Sequence, residues 1–143
     1  MTVRRDTRQR RLILRAVQSR RDHPTAEQIY EDVRTSDPRI SHGTVYRNLN
    51  CLSEDGAINH VRVPGADRYD LRTEPHYHML CVKCGGVSDV PTPYKPFLDG
   101  ETAELSGCNI IRHRLLFEGL CPECAAERSR ERENNETGGN SRW

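Results

Sequence analysis

The chain has 143 residues, of which 34% are hydrophobic, and its 22 basic and 21 acidic side chains nearly cancel. A chain of this length forms one compact domain or two very small ones. No apolar run approaches the ~18–20 residues of a membrane span, which excludes an integral membrane protein. The arginine-rich start lacks the apolar region of a secretory signal, so we expect a cytoplasmic protein. In that reducing compartment, six cysteines indicate metal or redox chemistry before disulfides.

The charge of the chain is distributed unevenly between its two halves. Residues 1–62 hold 12 basic and 8 acidic side chains, whereas residues 63–143 hold 10 and 13. An uneven split of this kind indicates that the first half faces nucleic acid. A solvated, arginine-rich surface helix would give the same pattern, so charge alone does not decide between them.

The first half has the pattern of three short helices. Thr7, Thr25 and Ser41 each precede an apolar stripe of helical spacing, and each is a suitable N-cap. Gln28 stands three residues after Thr25 and completes a capping box. Gly56 is placed to end the third helix.

Alternating apolar residues from Ile58 to Leu71, interrupted by Pro64-Gly65, predict a β-hairpin after these helices. Three short helices followed by a hairpin is the order of a winged helix-turn-helix, whose third helix enters the major groove. Arginines of the first helix would add phosphate contacts. The residues that we expect to contact DNA are Arg8, Arg11, Ser41, Thr44, Tyr46 and Arg47.

The second half predicts a strand, a turn, a strand, a helix and a final strand. The strands are expected over 76–82, 87–90 and 110–117, and the helix over 97–105. This unit is small for an independent core, so we expect it to pair with a second copy. The overall prediction is an α+β protein. Its parts are a winged-helix DNA-binding domain (1–71), a hinge (72–75), a dimerisation and metal-binding domain (76–125) and a charged tail expected to be disordered (126–143).

Two Cys-x-x-Cys pairs give the strongest chemical signal. Cys81 with Cys84, and Cys121 with Cys124, can supply four thiolates to one tetrahedral zinc ion. Either pair alone would suit thiol redox chemistry, and a redox switch is the rival interpretation. Two pairs that bracket one small domain favour a structural Zn²⁺ instead. The remaining Cys51 and Cys108 are expected to be small buried residues.

A second constellation combines histidines and carboxylates. His76 and His78 flank Tyr77 on a predicted strand, so their imidazoles share one face. Nitrogen and carboxylate ligands without thiolate suit Fe²⁺, Mn²⁺ or zinc. Two aspartates are expected on neighbouring strands, and one more histidine just before the second helix. Spacing alone leaves open whether the set meets in space; its members are His23, Asp70, His76, His78 and Asp89.

Five segments of the chain match a known family: HPTAEQIY at 23–30, TVYRNL at 44–49, RYD at 68–70, HYH at 76–78, and the two cysteine pairs. Over about residues 3–125 the chain resembles the ferric uptake regulator family of metal-dependent bacterial repressors. The resemblance implies a homodimer on double-stranded operator DNA and a structural zinc on the four cysteines. It also implies a regulatory Fe²⁺ or Mn²⁺ on the five-residue set above, in a protein that is not an enzyme.

Two positions resemble the peroxide-sensing branch of that family. Asp89 stands where iron sensors commonly have Glu, and Tyr77 where they often have Asp. In that branch Fe²⁺ reacts with hydrogen peroxide and a ligand histidine becomes 2-oxo-histidine. The histidines that the motifs assign to this oxidation are His23 and His76. An iron-sensing repressor of iron-acquisition genes is the alternative, because Arg47 matches iron regulators. A small metal-dependent hydrolase is a second alternative.

His113 matches a histidine of an additional metal site in the family. Tyr77 and Pro96 stand where partners for that site would be expected. We therefore predict a structural role for His113.

Overall fold

The computed structural model describes residues 7–138. The chain divides into two compact units, the first ending at Pro75 and the second beginning at His76. This division falls at the end of the segment 72–75, and the segment itself belongs to the first unit. Among the described residues, no helix is long and apolar enough to cross a membrane.

The first unit begins with three capped helices. Helix α1 spans Arg8–Gln18, α2 spans Ala26–Val33 and α3 spans His42–Glu54. The Thr7 hydroxyl accepts from the N–H of Arg10, and Thr25 and Gln28 form the reciprocal capping box. The Ser41 hydroxyl accepts from the N–H of Thr44, and Gly56 adopts a left-handed φ of 77° just after α3. The predicted helix starts are confirmed.

A two-stranded antiparallel hairpin follows the helices. Strand β1 (Asn59–Val61) pairs with β2 (Arg68–Asp70), and His60 lies opposite Tyr69. The apolar stripes of all three helices meet in one core, which the hairpin extends through its first apolar residue and its tyrosine. The core contains Ile13, Val17, Ala26, Ile29, Val33, Ile40, Val45, Leu49, Leu52, Ile58 and Tyr69. Helices, hairpin and core have the arrangement of a winged helix-turn-helix.

The second unit contains a three-stranded sheet with β3 in the middle. Strand β3 (His78–Cys81) pairs antiparallel with β4 (Val87–Asp89) and parallel with β5 (Leu116–Gly119). Parallel pairing requires a long connection, and β4 and helix α4 (Phe97–Ser106) occupy it. Helix α5 (Pro122–Gly138) ends the described chain.

The predicted final strand was placed too early. The expected range 110–117 overlaps β5 at two residues, Leu116 and Phe117, because hydrogen bonding to β3 begins at Leu116. The preceding apolar residues that suggested a strand are largely exposed, with Ile111 82% accessible. Cys108, expected to be buried near that strand, is exposed, whereas Cys51 on α3 is half-buried.

The prediction of a disordered tail from residue 126 is wrong for the described part. Residues 126–138 continue α5 without interruption. Ala, Glu and Arg are strong helix formers, and they predominate in the first half of this segment. Lys83, in the turn after β3, adds an ion pair to Glu127 at 3.1 Å. Residues 139–143 of the predicted tail lie outside the described residues.

Candidate metal centres and nucleic-acid interface

The two cysteine pairs converge at one end of the three-stranded sheet. Cys81 ends β3, Cys121 follows β5, and the register places Cys81 opposite Gly119. The four sulfur atoms lie within 4.8 Å of one another. The Sγ atoms of Cys84 and Cys121 are 4.0 Å apart, twice the length of a disulfide bond. Thiolates about 2.3 Å from one zinc ion stand roughly 3.8 Å apart in a tetrahedron, so these four residues fit zinc.

The electrostatics of the cluster favour a bound cation. Backbone hydrogen bonds, led by the one from Cys84, lower the pKa of Cys81 to about 6. Its sulfur neighbours, Cys121 first, together with burial raise the pKa of Cys124 to about 12. The cluster therefore accepts a thiolate at Cys81 readily, whereas hydrogen bonds with neighbouring thiols and burial keep Cys124 protonated. A divalent cation removes that obstacle, and the four-cysteine site suits a structural zinc.

Three of the predicted regulatory ligands meet in the second unit. Asp89 lies directly opposite His78 across the β3–β4 ladder. Its Oδ1 atom is 3.0 Å from Nε2 of His76 and 3.3 Å from Nε2 of His78. Both imidazoles are buried, and their ring centroids are 4.4 Å apart. Octahedral ligands about 2.1 Å from a metal ion stand about 3.0 Å apart, so this half-site fits a divalent ion.

The other two predicted ligands meet in the first unit. His23 Nε2 is 3.4 Å from Oδ2 of Asp70 at the end of β2, and the His23 side chain is 9% exposed. Hydrogen bonds between residues 23–24, which precede α2, and strand β2 position this pair. Tyr69 N–H donates to the carbonyl of Pro24, and Arg68 Nη1 donates to the carbonyl of His23. His23 also has a left-handed φ of 52°, which is uncommon for a residue with a side chain.

The sequence suggested that the aspartates of the two half-sites lie on neighbouring strands. The structure shows that they do not. Asp70 ends β2 in the two-stranded sheet, whereas Asp89 ends β4 in the three-stranded sheet. The chain between β2 and β3 includes the predicted hinge 72–75, forms no strand and leads from the first compact unit to the second, so each aspartate ends a strand of a separate sheet.

The predicted DNA-reading face of α3 is exposed. Tyr46 is 45% accessible, and Arg47 lies beside it on the same solvent face. Ser41 uses its hydroxyl to cap the helix, and that hydroxyl also lies 2.9 Å from the Thr44 hydroxyl. Arg47 Nη2 donates to the Thr44 hydroxyl at 3.3 Å, which orients the guanidinium along the start of the helix.

The expected phosphate-binding arginines Arg8 and Arg11 are exposed on α1. Arg10 behaves differently, since it forms a 2.9 Å ion pair with Asp55 after α3 and thereby links the two helices. Sequence reasoning missed one feature of this surface. His42, the first residue of α3, stacks on Tyr30 with centroids 3.6 Å apart and pairs with Glu27 at 3.1 Å. No local spacing signals that contact, because Glu27 is fifteen residues away.

These features define a class of protein. A three-helix-and-hairpin unit carries an exposed, arginine-bearing third helix, and a second unit carries a four-cysteine zinc site and a His/Asp metal half-site. The Ferric uptake regulator family model matches residues 2–118. The chain belongs to the ferric uptake regulator family, and it is a metal-dependent transcriptional regulator rather than an enzyme, which excludes the hydrolase interpretation.

Relatives in this family include peroxide regulators and iron regulators. The peroxide-responsive repressor PerR of Staphylococcus epidermidis is 32% identical over 122 residues, covering 85% of this chain and 81% of that protein. The crystal structure of the Campylobacter jejuni peroxide stress regulator superposes with a TM-score of 0.65 at 28% identity, covering 81% of this chain and 88% of that one. The ferric uptake regulator of Francisella tularensis, solved with iron, gives 0.68 at 23% identity and covers 87% and 97%; it shares the fold.

Proposed function

We propose that the protein is a dimeric, cytoplasmic repressor that binds operator DNA when a regulatory Fe²⁺ or Mn²⁺ is bound. The observation that carries this proposal is the pair of half-sites. Each unit supplies a pre-assembled His/Asp arrangement, His23 with Asp70 in one and His76, His78 and Asp89 in the other. We propose that these five residues are the ligands of the regulatory metal and that its occupancy controls operator binding.

A second copy of the chain is the partner that we propose for the second unit. Several large apolar side chains of this unit are exposed: Phe97 at 61%, Leu105 and Ile111 at 82% each, and Phe117 at 44%. Exposed apolar residues along α4 and the approach to β5 are typical of an interface between copies. In a dimer of this kind, the two winged-helix units would present α3 to successive major grooves.

Operator recognition is tested by Arg47→Ala. The exposed guanidinium lies at the start of α3, where arginine reads guanine or phosphate. We expect a loss of about 10-fold or more in affinity, corresponding to ~1–3 kcal/mol per base contact. The probe is a duplex selected from a randomised library by the Mn²⁺-loaded protein, followed by fluorescence anisotropy. Zinc content and dimer mass should stay unchanged. Equal affinity of the variant and the parent would remove Arg47 from the interface.

We propose further that the regulator senses hydrogen peroxide. Its support is the short Asp89 side chain, which contacts both imidazoles through one oxygen, and the peroxide-responsive relatives. Bound Fe²⁺ would activate the peroxide, and the two electrons that reduce the peroxide overall would come from the imidazole, which is oxidised. The net change adds one peroxide oxygen to the C2 carbon of a ligand imidazole and releases the other as water. The resulting 2-oxo-histidine is a poor donor, so the ligand set would lose a member and DNA affinity would fall.

Tandem mass spectrometry of Fe²⁺-loaded protein after mild peroxide tests this sensing. The tryptic fragments Asp22–Arg34 and Thr73–Lys83 contain His23 and His76. Fragment ions must localise the added oxygen, because Met79 lies in the second fragment and also gains one. We expect oxidation at His23 or His76 with iron, and none with Mn²⁺. Unmodified histidines in protein that keeps its iron would favour the iron-sensing alternative.

A further inference from the structure

Tyr77 lies between two proposed ligands, yet its side chain belongs to a different cluster. The side chain is fully buried, at 0% accessibility. Its hydroxyl accepts a hydrogen bond from the Lys95 backbone N–H at 3.0 Å and lies 2.8 Å from Nε2 of His113. The other ring nitrogen of His113, Nδ1, is 2.8 Å from Oδ1 of Asp99 on α4. Three side chains therefore form one hydrogen-bonded connection from the residue that precedes β3 to helix α4.

The donors and acceptors of this connection match along its whole length. An imidazole that carries its proton on Nδ1 donates to Asp99 and accepts at Nε2 from the Tyr77 hydroxyl. That hydroxyl then accepts from Lys95 with its remaining lone pair. Tyr94 stacks on His113 with ring centroids 4.6 Å apart and nearly parallel planes, and this contact holds the imidazole in orientation. Each group has a defined role, so the cluster prefers a single arrangement.

The cluster acts on the backbone that carries the metal half-site. Tyr77 immediately precedes β3, and its side chain contacts His113 and Tyr94, whereas the imidazoles of His76 and His78 both contact Asp89. Anchoring Tyr77 therefore fixes the peptide units on either side of it. The Tyr77 carbonyl also accepts from the N–H of Val90 at 3.1 Å, next to Asp89. One anchored residue thus fixes both the histidine pair and the carboxylate that faces it.

We propose that Tyr77, His113 and Asp99 are positioning residues for the His76–His78–Asp89 half-site, and that they hold its ligands in place without a second ion. The inference rests on the proposed regulatory metal. The hydrogen-bonded partners of ligand side chains typically change metal affinity 10–100-fold when they are replaced. Tyr77 acts through the backbone, so we expect an effect at the lower end of that range, about 10-fold.

The test measures Co²⁺ and Mn²⁺ binding to zinc-loaded, full-length protein. Tyr77→Phe removes the hydroxyl, and Asp99→Ala removes the far end of the connection from a partly exposed position. Both should weaken Mn²⁺ binding about 10-fold and shift the visible ligand-field bands of Co²⁺, while zinc content stays unchanged. Asp99→Asn keeps an acceptor oxygen for His113 and should restore binding. Tyr94→Phe is unsuitable as a control, because the Tyr94 hydroxyl lies 3.3 Å from Nδ1 of His113 and donates to Asp99 at 3.5 Å. The matched control is Tyr30→Phe, which removes a tyrosine hydroxyl in the first unit, outside this cluster, and should bind Mn²⁺ like the parent.

The outcomes separate the positioning role from the proposed function. Parental affinity and parental Co²⁺ bands in both Tyr77→Phe and Asp99→Ala would overturn the positioning role while leaving the metal site standing. A parent protein that binds no metal beyond zinc would overturn both. If Tyr77→Phe fails to fold, the Mn²⁺ affinities and Co²⁺ bands of Asp99→Ala and Asp99→Asn test the positioning role. Weakened binding in Asp99→Asn equal to that in Asp99→Ala would also contradict the hydrogen-bonded route.

Discussion

Cys121→Ser is expected to abolish zinc binding and unfold the second unit. The buried apolar residues in the described part of this unit are few, namely Tyr77, Leu80, Cys81, Val87 and Cys124, and two of them belong to the four-cysteine cluster that fits zinc. Structural zinc contributes ~10–16 kcal/mol in small domains, which is comparable to the ~5–15 kcal/mol total stability of a typical domain. Replacing one thiolate by a hydroxyl removes a strong ligand and leaves three sulfurs that cannot close the tetrahedron.

Cys108→Ser provides the matched control for this substitution. Cys108 is exposed and lies outside the four-sulfur cluster, so its replacement should leave zinc content at one ion per chain and leave thermal unfolding unchanged. Metal analysis measures the zinc content of both variants, and calorimetry measures their thermal unfolding. The first unit has its own core, and in Cys121→Ser it should keep a separate transition. A stable second unit without zinc would refute the structural role of the metal.

Asp89→Ala is expected to abolish metal-dependent operator binding. One carboxylate oxygen contacts both imidazoles, so the substitution removes a proposed ligand together with the negative charge that would offset the ion. Loss of a direct ligand should exceed the 10–100-fold effect of outer partners, so we expect Mn²⁺ affinity to fall by at least about 100-fold. Electron paramagnetic resonance of free Mn²⁺ measures that affinity, and anisotropy of the selected duplex measures the consequence for DNA.

Glu101→Ala, which removes an exposed carboxylate on α4, controls for the general change in charge. It should bind Mn²⁺ and DNA like the parent. The zinc content of Asp89→Ala should also remain at one ion per chain, because Asp89 lies outside the cysteine cluster. Metal-dependent DNA binding that survives in Asp89→Ala would show that this half-site does not control the repressor.

The parts of the fold that sequence predicted best are those set by local chemistry. Thr7, Thr25 and Ser41 cap the helices that their spacing predicted, because an N-cap satisfies the N–H groups of the first turn within a few residues. The cysteine pairs were likewise predictable, because each pair is local: Cys81 and Cys84 flank the turn after β3, and Cys121 and Cys124 lie at the start of α5. We expected the two pairs to meet because one structural zinc ion takes four ligands.

Features set by contacts distant in sequence were not predictable from local patterns. The position of β5 depends on its register with β3, and the apolar residues ahead of it are exposed in this chain. The contact between Asp99 and His113 was not predictable, because the two residues are fourteen positions apart and the end of α4 lies between them. The charged composition of the tail predicts disorder, but Ala, Glu and Arg also favour helix, and the Lys83–Glu127 ion pair holds α5 to the turn after β3.

Two separate requirements limit which residues can occupy position 23, because the backbone there is left-handed and the side chain contacts Asp70. Chemistry requires a nitrogen donor that can reach Asp70, and conformation favours residues that tolerate a positive φ, among which Asn, Asp and His are the usual ones besides glycine. Strain of this kind costs ~1–3 kcal/mol and persists where surrounding contacts enforce it, here the hydrogen bond from Arg68 to the His23 carbonyl. Histidine meets both requirements at once. His23→Ala would remove the nitrogen donor and also make the positive φ less favourable. His23→Asn would remove the imidazole while keeping a residue that tolerates the positive φ.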